Sequence, residues 1–128
     1  MLLGSFSARF SHGLMVVSAP ESADTHDSWD AAAEVVHAGP DSIYIGVMDA
    51  ASGLVSVRCI EGPGVDTDLR AIFSGRLTLP SARLKFYDPD ETINMIVPVS
   101  AESVAITIYA DDDREPSELL FQVTPAKW

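Results

Sequence analysis

Apolar residues alternate with polar ones over most of the chain, which is the period of a β-strand that buries one face. Ile43, Ile45 and Val47 show the pattern clearly, because they fall on one side of their segment with polar or small residues between them. Nine short runs of this kind, separated by turn residues, predict a mainly β protein with the architecture of an antiparallel β-sandwich. The runs lie at 2–10, 14–19, 42–49, 54–60, 71–79, 83–87, 92–99, 103–110 and 119–124.

Turn residues between the runs predict how the strands connect. Ser11-His12-Gly13 is expected to join the first two strands as a hairpin, and Asp49-Ala50-Ala51-Ser52-Gly53 to join the strands on either side of it. Pro98 interrupts an otherwise regular strand. Because proline cannot donate a backbone hydrogen bond, that strand is expected to lie at a sheet edge or to be bulged there.

One segment has a helical rather than a strand period. Its apolar residues recur at i, i+3, i+4 and i+7, which predicts one short α-helix near residues 28–38, ended by Gly39-Pro40. The acidic residues of the segment fall on the opposite face and are expected to point to solvent. The apolar stripe, anchored by Trp29, consists of Trp29, Ala32, Ala33 and Val36, and the acids are Asp27, Asp30 and Glu34.

Length and composition set the scale of the protein. The 128 residues are 47% hydrophobic and 21% charged, which is typical of one globular domain spanning residues 1–128. No apolar run approaches the roughly 20 residues of a membrane helix, and the first residues lack the pattern of an export signal. We therefore expect a cytoplasmic protein with no membrane insertion. The single cysteine, Cys59, shares a strand face with Val55 and Val57, so it is expected to be a buried core residue.

Charge is the unusual part of the composition. Asp and Glu number 19 against 8 Lys and Arg, for a formal net charge of −11. This balance disfavours direct binding to nucleic acid, which needs a basic footprint. No Lys or Arg occurs between Arg9 and Arg58, and a second acidic group follows near residue 111. Two interpretations stay open: a solubility trait, or a surface that attracts a basic protein.

If the acidity is functional, the carboxylates of these two groups are the candidate contacts. Nuclease inhibitors use such surfaces to occupy clefts that bind phosphate, and charge steering speeds their association. The sequence leaves open whether the basic partner is a nuclease, a histone-like protein or a basic peptide. The predicted partner-binding residues are Glu21, Asp24, Asp27, Asp30, Glu34, Asp111, Asp112 and Asp113.

Neither a catalytic centre nor a cofactor or metal site is predicted. The three histidines, His12, His26 and His37, belong to no recognised catalytic or nucleotide-binding motif. Three acidic groups, around residues 24–27, 88–91 and 111–115, lack the spacing of a calcium-binding EF-hand loop. Asp88-Pro89-Asp90 is read more simply as a turn whose aspartate oxygens hold local amides. The protein is therefore expected not to be an enzyme.

Two further functional classes remain open. A β-sandwich can bind carbohydrate or another small ligand on aromatic platforms, for which the candidates are Tyr44, Tyr87, Tyr109 and Trp128. A pocket lined by two exposed aromatic side chains would favour this class, whereas a flat acidic face would favour an inhibitor. A structural module of a larger assembly would instead show a large exposed apolar patch.

The order of these features resembles the competence protein J family. The resemblance is carried by the apolar run Phe10–Val17 before an acidic loop, by Asp27-Ser28-Trp29-Asp30 and the amphipathic segment after it, by the strand pair Ser42–Ile60, and by Ile93–Ile108 with Pro98 inside. Members of this family are small inhibitors of a DNA-entry nuclease. The resemblance therefore implies a non-enzymatic inhibitor or immunity protein whose partner is a nuclease.

Overall fold

The computed structural model describes residues 1–23 and 34–126, which form ten β-strands in two five-stranded sheets. Sheet 1 has the strand order β1-β5-β10-β9-β6, and sheet 2 has the order β3-β4-β2-β7-β8. The strands are β1 (Leu2–Ala8), β2 (Leu14–Ser18), β3 (Val36–Ala38), β4 (Ser42–Gly46), β5 (Val55–Glu61), β6 (Arg70–Thr78), β7 (Arg83–Tyr87), β8 (Asn94–Pro98), β9 (Ser103–Ala110) and β10 (Glu118–Pro125).

The alternating apolar residues of both sheets meet in one hydrophobic core, as a sandwich-like arrangement requires. Phe86 on β7 and Phe121 on β10 join the two sheets across this core, with ring centroids 5.0 Å apart and an edge-to-face angle of 84°. The predicted alternation is confirmed on the central strands. Their fully or almost fully buried residues include Ile43, Ile45, Val55, Val57, Leu84, Val104, Ile106, Ile108, Leu119 and Val123.

Most strand pairs are antiparallel, as predicted, and one is parallel. In sheet 1, β5 and β10 run side by side in the same direction, with Val57 opposite Leu119 and Cys59 opposite Phe121. The other pairs in both sheets are antiparallel. The predicted edge position of Pro98 is confirmed, because β8 is the edge strand of sheet 2 and Pro98 is its last residue.

The two predicted hairpins are wrong. β1 pairs with β5 in sheet 1 while β2 lies in sheet 2, and β4 and β5 also belong to different sheets. Each turn therefore crosses from one sheet to the other. Phe10 is fully buried at the first crossing, and its carbonyl accepts hydrogen bonds from the amides of Gly13 and Ala50. Alternation shows which face of a strand is buried, but it carries no information on which strand lies beside it.

The predicted helix is also wrong where the structure describes it. Val36–Ala38 forms strand β3, which pairs antiparallel with β4 and sets Val36 opposite Ile45. The open edge of β4 supplies backbone partners that favour the strand, and Gly39-Pro40 ends it as readily as it would end a helix. Residues 28–33, which include Trp29, lie outside the described residues. The two described ranges contain no helix, and thus none that could cross a membrane.

The direction of each strand determines at which end of the sandwich the following loop lies. At one end, β1 leads into β2 through residues 9–13, β4 into β5 through 47–54, β7 into β8 through 88–93, and β9 into β10 through 111–117. The first residues of β3 point to this same end, because the carbonyl of Val35 accepts a hydrogen bond from Gly46 at the end of β4. Residues 19–23, 39–41, 79–82 and 99–102 lie at the opposite end.

Candidate partner-binding surface

The described carboxylates lie in loops much more than in strands. Only Glu61 and Glu118 lie within the described strands, each at a strand terminus. Five of the chain's basic residues, in contrast, are strand residues: Arg58, Arg70, Arg76, Arg83 and Lys85. Negative charge is therefore concentrated on the ends of the sandwich and is nearly absent from the described strands of both sheets.

The two ends share these loop acids unequally. We call the first end the acidic end; its carboxylates are those of Glu34, Asp49, Asp88, Asp90, Glu91, Asp111, Asp112, Asp113, Glu115 and Glu118. The described acids of the opposite end are Glu21, Asp41, Glu61 and Glu102. The two remaining described acids, Asp66 and Asp68, lie in residues 62–69, which connect β5 at the opposite end to β6 at the acidic end. Arg9, Arg70 and Arg114 lie at the acidic end as counter-charges, and Lys85 on β7 forms an ion pair with Glu91. Ten carboxylates thus face four cationic side chains, and this end carries a net negative charge.

The loops of the acidic end are linked to one another. His12 Nε2 lies 3.3 Å from Asp90 Oδ2, which joins loop 9–13 to loop 88–93. Arg9 Nη1 donates to the carbonyl of Ala50 at 2.6 Å, and the amide of Met48 donates to the carbonyl of Pro116 at 2.9 Å. These contacts tie loops 9–13, 47–54 and 111–117 together. The acids are thus presented on one continuous surface rather than on independent loops.

Asp88 belongs to this end but is a structural residue. It is 2% exposed, and its carboxylate accepts hydrogen bonds from Thr92 Oγ1 at 2.7 Å and from the amide of Ile93 at 2.9 Å. Burial acts to raise the pKa of Asp88, but these hydrogen bonds outweigh burial and hold the pKa below its ordinary value. The amide of Glu91 donates to the carbonyl of Asp88 at 2.9 Å, so the predicted turn is confirmed.

Loop 111–117 contains both structural and surface carboxylates. Asp111 accepts hydrogen bonds from the amide and hydroxyl of Ser117 and from the amide of Glu118, at 3.0, 2.7 and 3.1 Å. Burial acts to raise the pKa of Asp111, but these bonds bring it below its ordinary value. Asp112 accepts one bond, from the amide of Arg114 at 2.8 Å. Asp113 is exposed and makes no side-chain hydrogen bond with the rest of the described chain.

A cleft of about 480 Å³ lies beside the acidic end, between β3 and β6. It brings together Glu34 and Asp113, which belong to the two acidic groups predicted separately from the sequence. Arg70 lies at the same cleft, so the rim carries two carboxylates and one guanidinium. The described lining residues are Glu34, Val35, Val36, Arg70, Ala71, Ile72, Phe73 and Asp113.

This architecture is found in two solved structures. The crystal structure of ComJ, inhibitor of the DNA-degrading activity of NucA, from Bacillus subtilis, aligns over 98% of both chains with a TM-score of 0.75 and 7% sequence identity. The chain has the fold of ComJ. The product of crocagin biosynthetic gene J aligns over 96% of both chains with a TM-score of 0.65 and 16% identity. No protein-family model and no curated protein sequence matches the chain.

The likeness to ComJ confirms, at the level of the fold, the resemblance to the competence protein J family. At 7% identity it is a likeness of architecture, and it transfers no individual contact residue. What it adds is that a sandwich of this topology serves, in ComJ, as a nuclease inhibitor. The acids of the present chain therefore have to be judged from their own positions on this fold.

The structure separates the predicted contact residues into three groups. Glu34, Asp111, Asp112 and Asp113 lie at the acidic end. Glu21 lies at the opposite end, where its Oε1 accepts a hydrogen bond from Ser81 Oγ at 3.3 Å. Asp24, Asp27 and Asp30 lie outside the described residues. Sequence reasoning grouped Glu115 with Asp111–Asp113 but left it out of the predicted contact set, and it missed that Asp49 and Asp90 join the same surface. The signal for Asp49 and Asp90 was that each lies in a predicted turn.

Cys59 and the three tyrosine candidates lie at packing positions on the two sheets. Cys59 is fully buried, as predicted, and burial followed by the charge of Glu61 raises its pKa to about 12. Tyr109 donates to Gln122 Oε1 at 3.3 Å on the outer face of sheet 1. Tyr44 and Tyr87 flank Val16 on the outer face of sheet 2. Among the described residues of the cleft, Phe73 is the one aromatic side chain, which does not match the predicted pair of stacking platforms. Trp128 lies outside the described residues.

Proposed function

We propose that this protein is a small non-enzymatic inhibitor, or an immunity protein, that binds a basic nuclease through the acidic end of the sandwich. One observation supports this most directly: the described carboxylates concentrate on one end of a fold that ComJ uses to inhibit the nuclease NucA. In this proposal the protein acts in the cytoplasm and needs no cofactor.

The proposed mechanism is charge mimicry. A nuclease cleft carries basic side chains that bind the phosphates of its substrate, and a surface of carboxylates offers the same charge in a rigid arrangement. Because the loops of the acidic end are hydrogen-bonded to one another, little conformational freedom is lost when this surface is covered. A long-range attraction would also speed the encounter, and salt would weaken it.

The proposed contacts are exposed carboxylates of this end. Asp112, Asp113 and Glu115 head the set, since they are exposed on one loop, and Glu34 joins them across the cleft. Asp24, Asp27 and Asp30 stay in the proposed contact set. Asp88 and Asp111 are proposed to support the loops rather than to contact the partner. Glu21 was predicted with the others, and its position at the opposite end makes it the natural test of whether location matters.

The test is a nuclease assay with matched charge variants. The purified protein is immobilised in low salt and incubated with an extract of the cells that produce it, and retained proteins are assayed for DNA degradation with and without added free protein. NucA is assayed in parallel. We expect a retained DNA-degrading activity that the free protein suppresses. Retained proteins that degrade no DNA, together with undiminished NucA activity, would overturn the proposal.

The variants then test the surface. Asp112→Asn and Asp113→Asn together should weaken inhibition, and Glu21→Gln with Glu102→Gln should leave it unchanged. The two pairs remove the same charge from opposite ends and keep an oxygen acceptor at every position. Equal weakening by both pairs would mean that net charge, and not the acidic end, is recognised.

A further inference from the structure

The cleft between β3 and β6 is bordered by two edge strands. β3 ends the strand order of sheet 2 and β6 ends that of sheet 1, so each has one strand partner among the described residues. Among the described residues, one backbone hydrogen bond connects β6 to the segment that follows β3, from the amide of Thr78 to the carbonyl of Pro40 at 2.9 Å. From Thr78 toward Arg70 the two edges separate, and the cleft opens toward the acidic end. An open strand edge offers backbone donors and acceptors to an added strand.

The direction of the Thr78 amide shows which residues of β6 offer those groups. In an antiparallel ladder, successive residues alternate between pointing their backbone groups at the partner strand and away from it. Thr78 donates to Pro40 and therefore points away from β9. The pairing of β6 with β9 is regular from Thr78 back to Phe73, so Ser74 also directs its amide and carbonyl away from β9. Ser74 directly follows Phe73, the last residue of β6 that lines the cleft.

The floor and rim of the cleft have different chemistry. Val36, Ile72 and Phe73 supply an apolar floor. A Cβ atom on Gly75 would come within 2.6 Å of Phe73 Cζ, so the absence of a side chain there lets the Phe73 ring lie against the strand. The rim carries Glu34 and Asp113, with Arg70 as the opposing charge, and His37 Nε2 of β3 lies 4.0 Å from Glu34 Oε1. An occupant with a backbone to pair, apolar side chains for the floor and cations for the rim satisfies all three features.

We propose that this cleft receives an extended segment of the partner, which adds to β6 as a strand and places a lysine or arginine side chain between Glu34 and Asp113. Strand addition of this kind draws affinity from main-chain hydrogen bonds and specificity from alternate side chains. The inference rests on the proposed function, because the segment belongs to the basic partner. It adds a second point of contact beside the exposed loop acids.

The probe is a seven-residue peptide of alternating lysine and valine with blocked ends, titrated into the isotopically labelled full-length protein and followed by amide chemical shifts. We expect the largest shifts at β6 residues 70–75 and at β3. A matched peptide of alternating glutamate and valine should bind more weakly. Shifts confined to loops 47–54 and 111–117, or no shifts at millimolar peptide, would overturn the proposal.

Four variants report on the mode of binding. Ser74→Pro removes an amide that β9 does not use, so the ladder survives while affinity for the lysine peptide falls by about tenfold; Ser74→Ala controls for the lost contact of Ser74 Oγ with Thr107, at 3.2 Å. Asp113→Asn should lower affinity by about threefold and Arg70→Ala should raise it by a similar factor. Affinity changes of opposite sign in Asp113→Asn and Arg70→Ala would show that the rim charges contact the peptide, whereas a change in folding would alter affinity in the same direction in both variants.

Further outcomes separate this inference from the proposed function. If Ser74→Pro disrupts β6, the Asp113→Asn and Arg70→Ala pair decides alone: unchanged affinity in both would overturn the cleft proposal. Nuclease inhibition that is insensitive to Ser74→Pro would also overturn it, while the acidic-end function stands. If the peptide binds in the cleft but no nuclease is inhibited, the proposed function is wrong. The segment that binds the cleft would then not belong to a nuclease.

Discussion

The two ends of the sandwich are built from similar loops but use their carboxylates differently. At the opposite end, acids connect neighbouring loops: Glu61 Oε2 accepts bonds from the amide and hydroxyl of Ser100, both at 2.9 Å, and Asp41 Oδ1 accepts from Ser22 Oγ at 2.7 Å. At the acidic end, Asp88 and Asp111 do the same, but Asp113 and Glu115 have no hydrogen-bonding partner for their carboxylates in the described chain. Among the described acids of the opposite end, Glu102 is likewise without one, so the acidic end differs in having more such carboxylates: Asp113, Glu115 and Glu118.

This comparison shows why net charge alone is a poor guide to function. A carboxylate held by two or three donors stabilises its own loop and has little left to offer a partner. A carboxylate without such donors contributes almost nothing to folding, and its surroundings favour an external cation instead. The acidic end contains both kinds within a few residues, as Asp111 and Asp113 show.

The largest loss of stability is expected from a substitution of Asp88. Asp88→Ala leaves the Thr92 hydroxyl and the Ile93 amide without their buried acceptor, and should lower the free energy of unfolding by about 3 kcal/mol. Asp41→Ala at the opposite end removes one such bond and should cost about 1 kcal/mol. Urea unfolding of both variants measures the difference. Equal losses would mean that Asp88 has no special structural role.

A smaller effect concerns pH. The pKa values of Asp88 and Asp111 lie below those of the unfolded chain, so their contribution to stability is complete above the unfolded value of about 4. It is lost as pH falls through their folded-state pKa values. Acid titration followed by circular dichroism should show a shallower loss of stability below pH 4 in Asp88→Asn/Asp111→Asn than in the wild type. An unchanged acid profile would count against these shifts.

The next effect is on association rather than stability. Asp112→Asn/Asp113→Asn should slow binding to a basic nuclease by about tenfold at low salt, because steering depends on charge near the contact surface. Glu21→Gln/Glu102→Gln should change the rate little, since those side chains lie at the far end. Stopped-flow association rates at two salt concentrations measure both pairs. An association rate that changes neither with salt nor in either double variant would mean that the acidity serves solubility and not binding.

The smallest effect is expected on the stability of that same variant. Asp112→Asn/Asp113→Asn should change the free energy of unfolding by about 0.5 kcal/mol or less, in the stabilising direction, because repulsion within the acidic end is relieved. Thermal unfolding at low and high salt checks it, with a smaller gain at high salt. A clear destabilisation would show that these carboxylates, like Asp88, hold their loop.

The predicted strands and their buried faces agree closely with the structure, whereas their connections do not. Residues such as Leu84, Phe86, Ile106 and Phe121 reveal their side of a strand through alternation alone. The helix prediction failed at β3 because Val36 fits the apolar period of a helix as well as that of a strand. The edge of β4, with which β3 pairs, cannot be recognised from the local sequence. The sequence showed which acids are candidate contacts but not which of them lie together, since Glu21 and Asp113 are at opposite ends of the sandwich.

The sequence by itself determined the period of the strands, the burial of Cys59, the edge position of Pro98 and the excess of acid, because each follows from local pattern or composition. Tertiary structure alone decided that β1 pairs with β5, that β10 runs parallel to β5, and that loops 9–13, 47–54, 88–93 and 111–117 meet at one end. The physical reason is that pairing and end-to-end placement depend on contacts between residues far apart in the chain. Glu34 and Asp113 share a cleft for that reason, although nothing in their local sequence connects them.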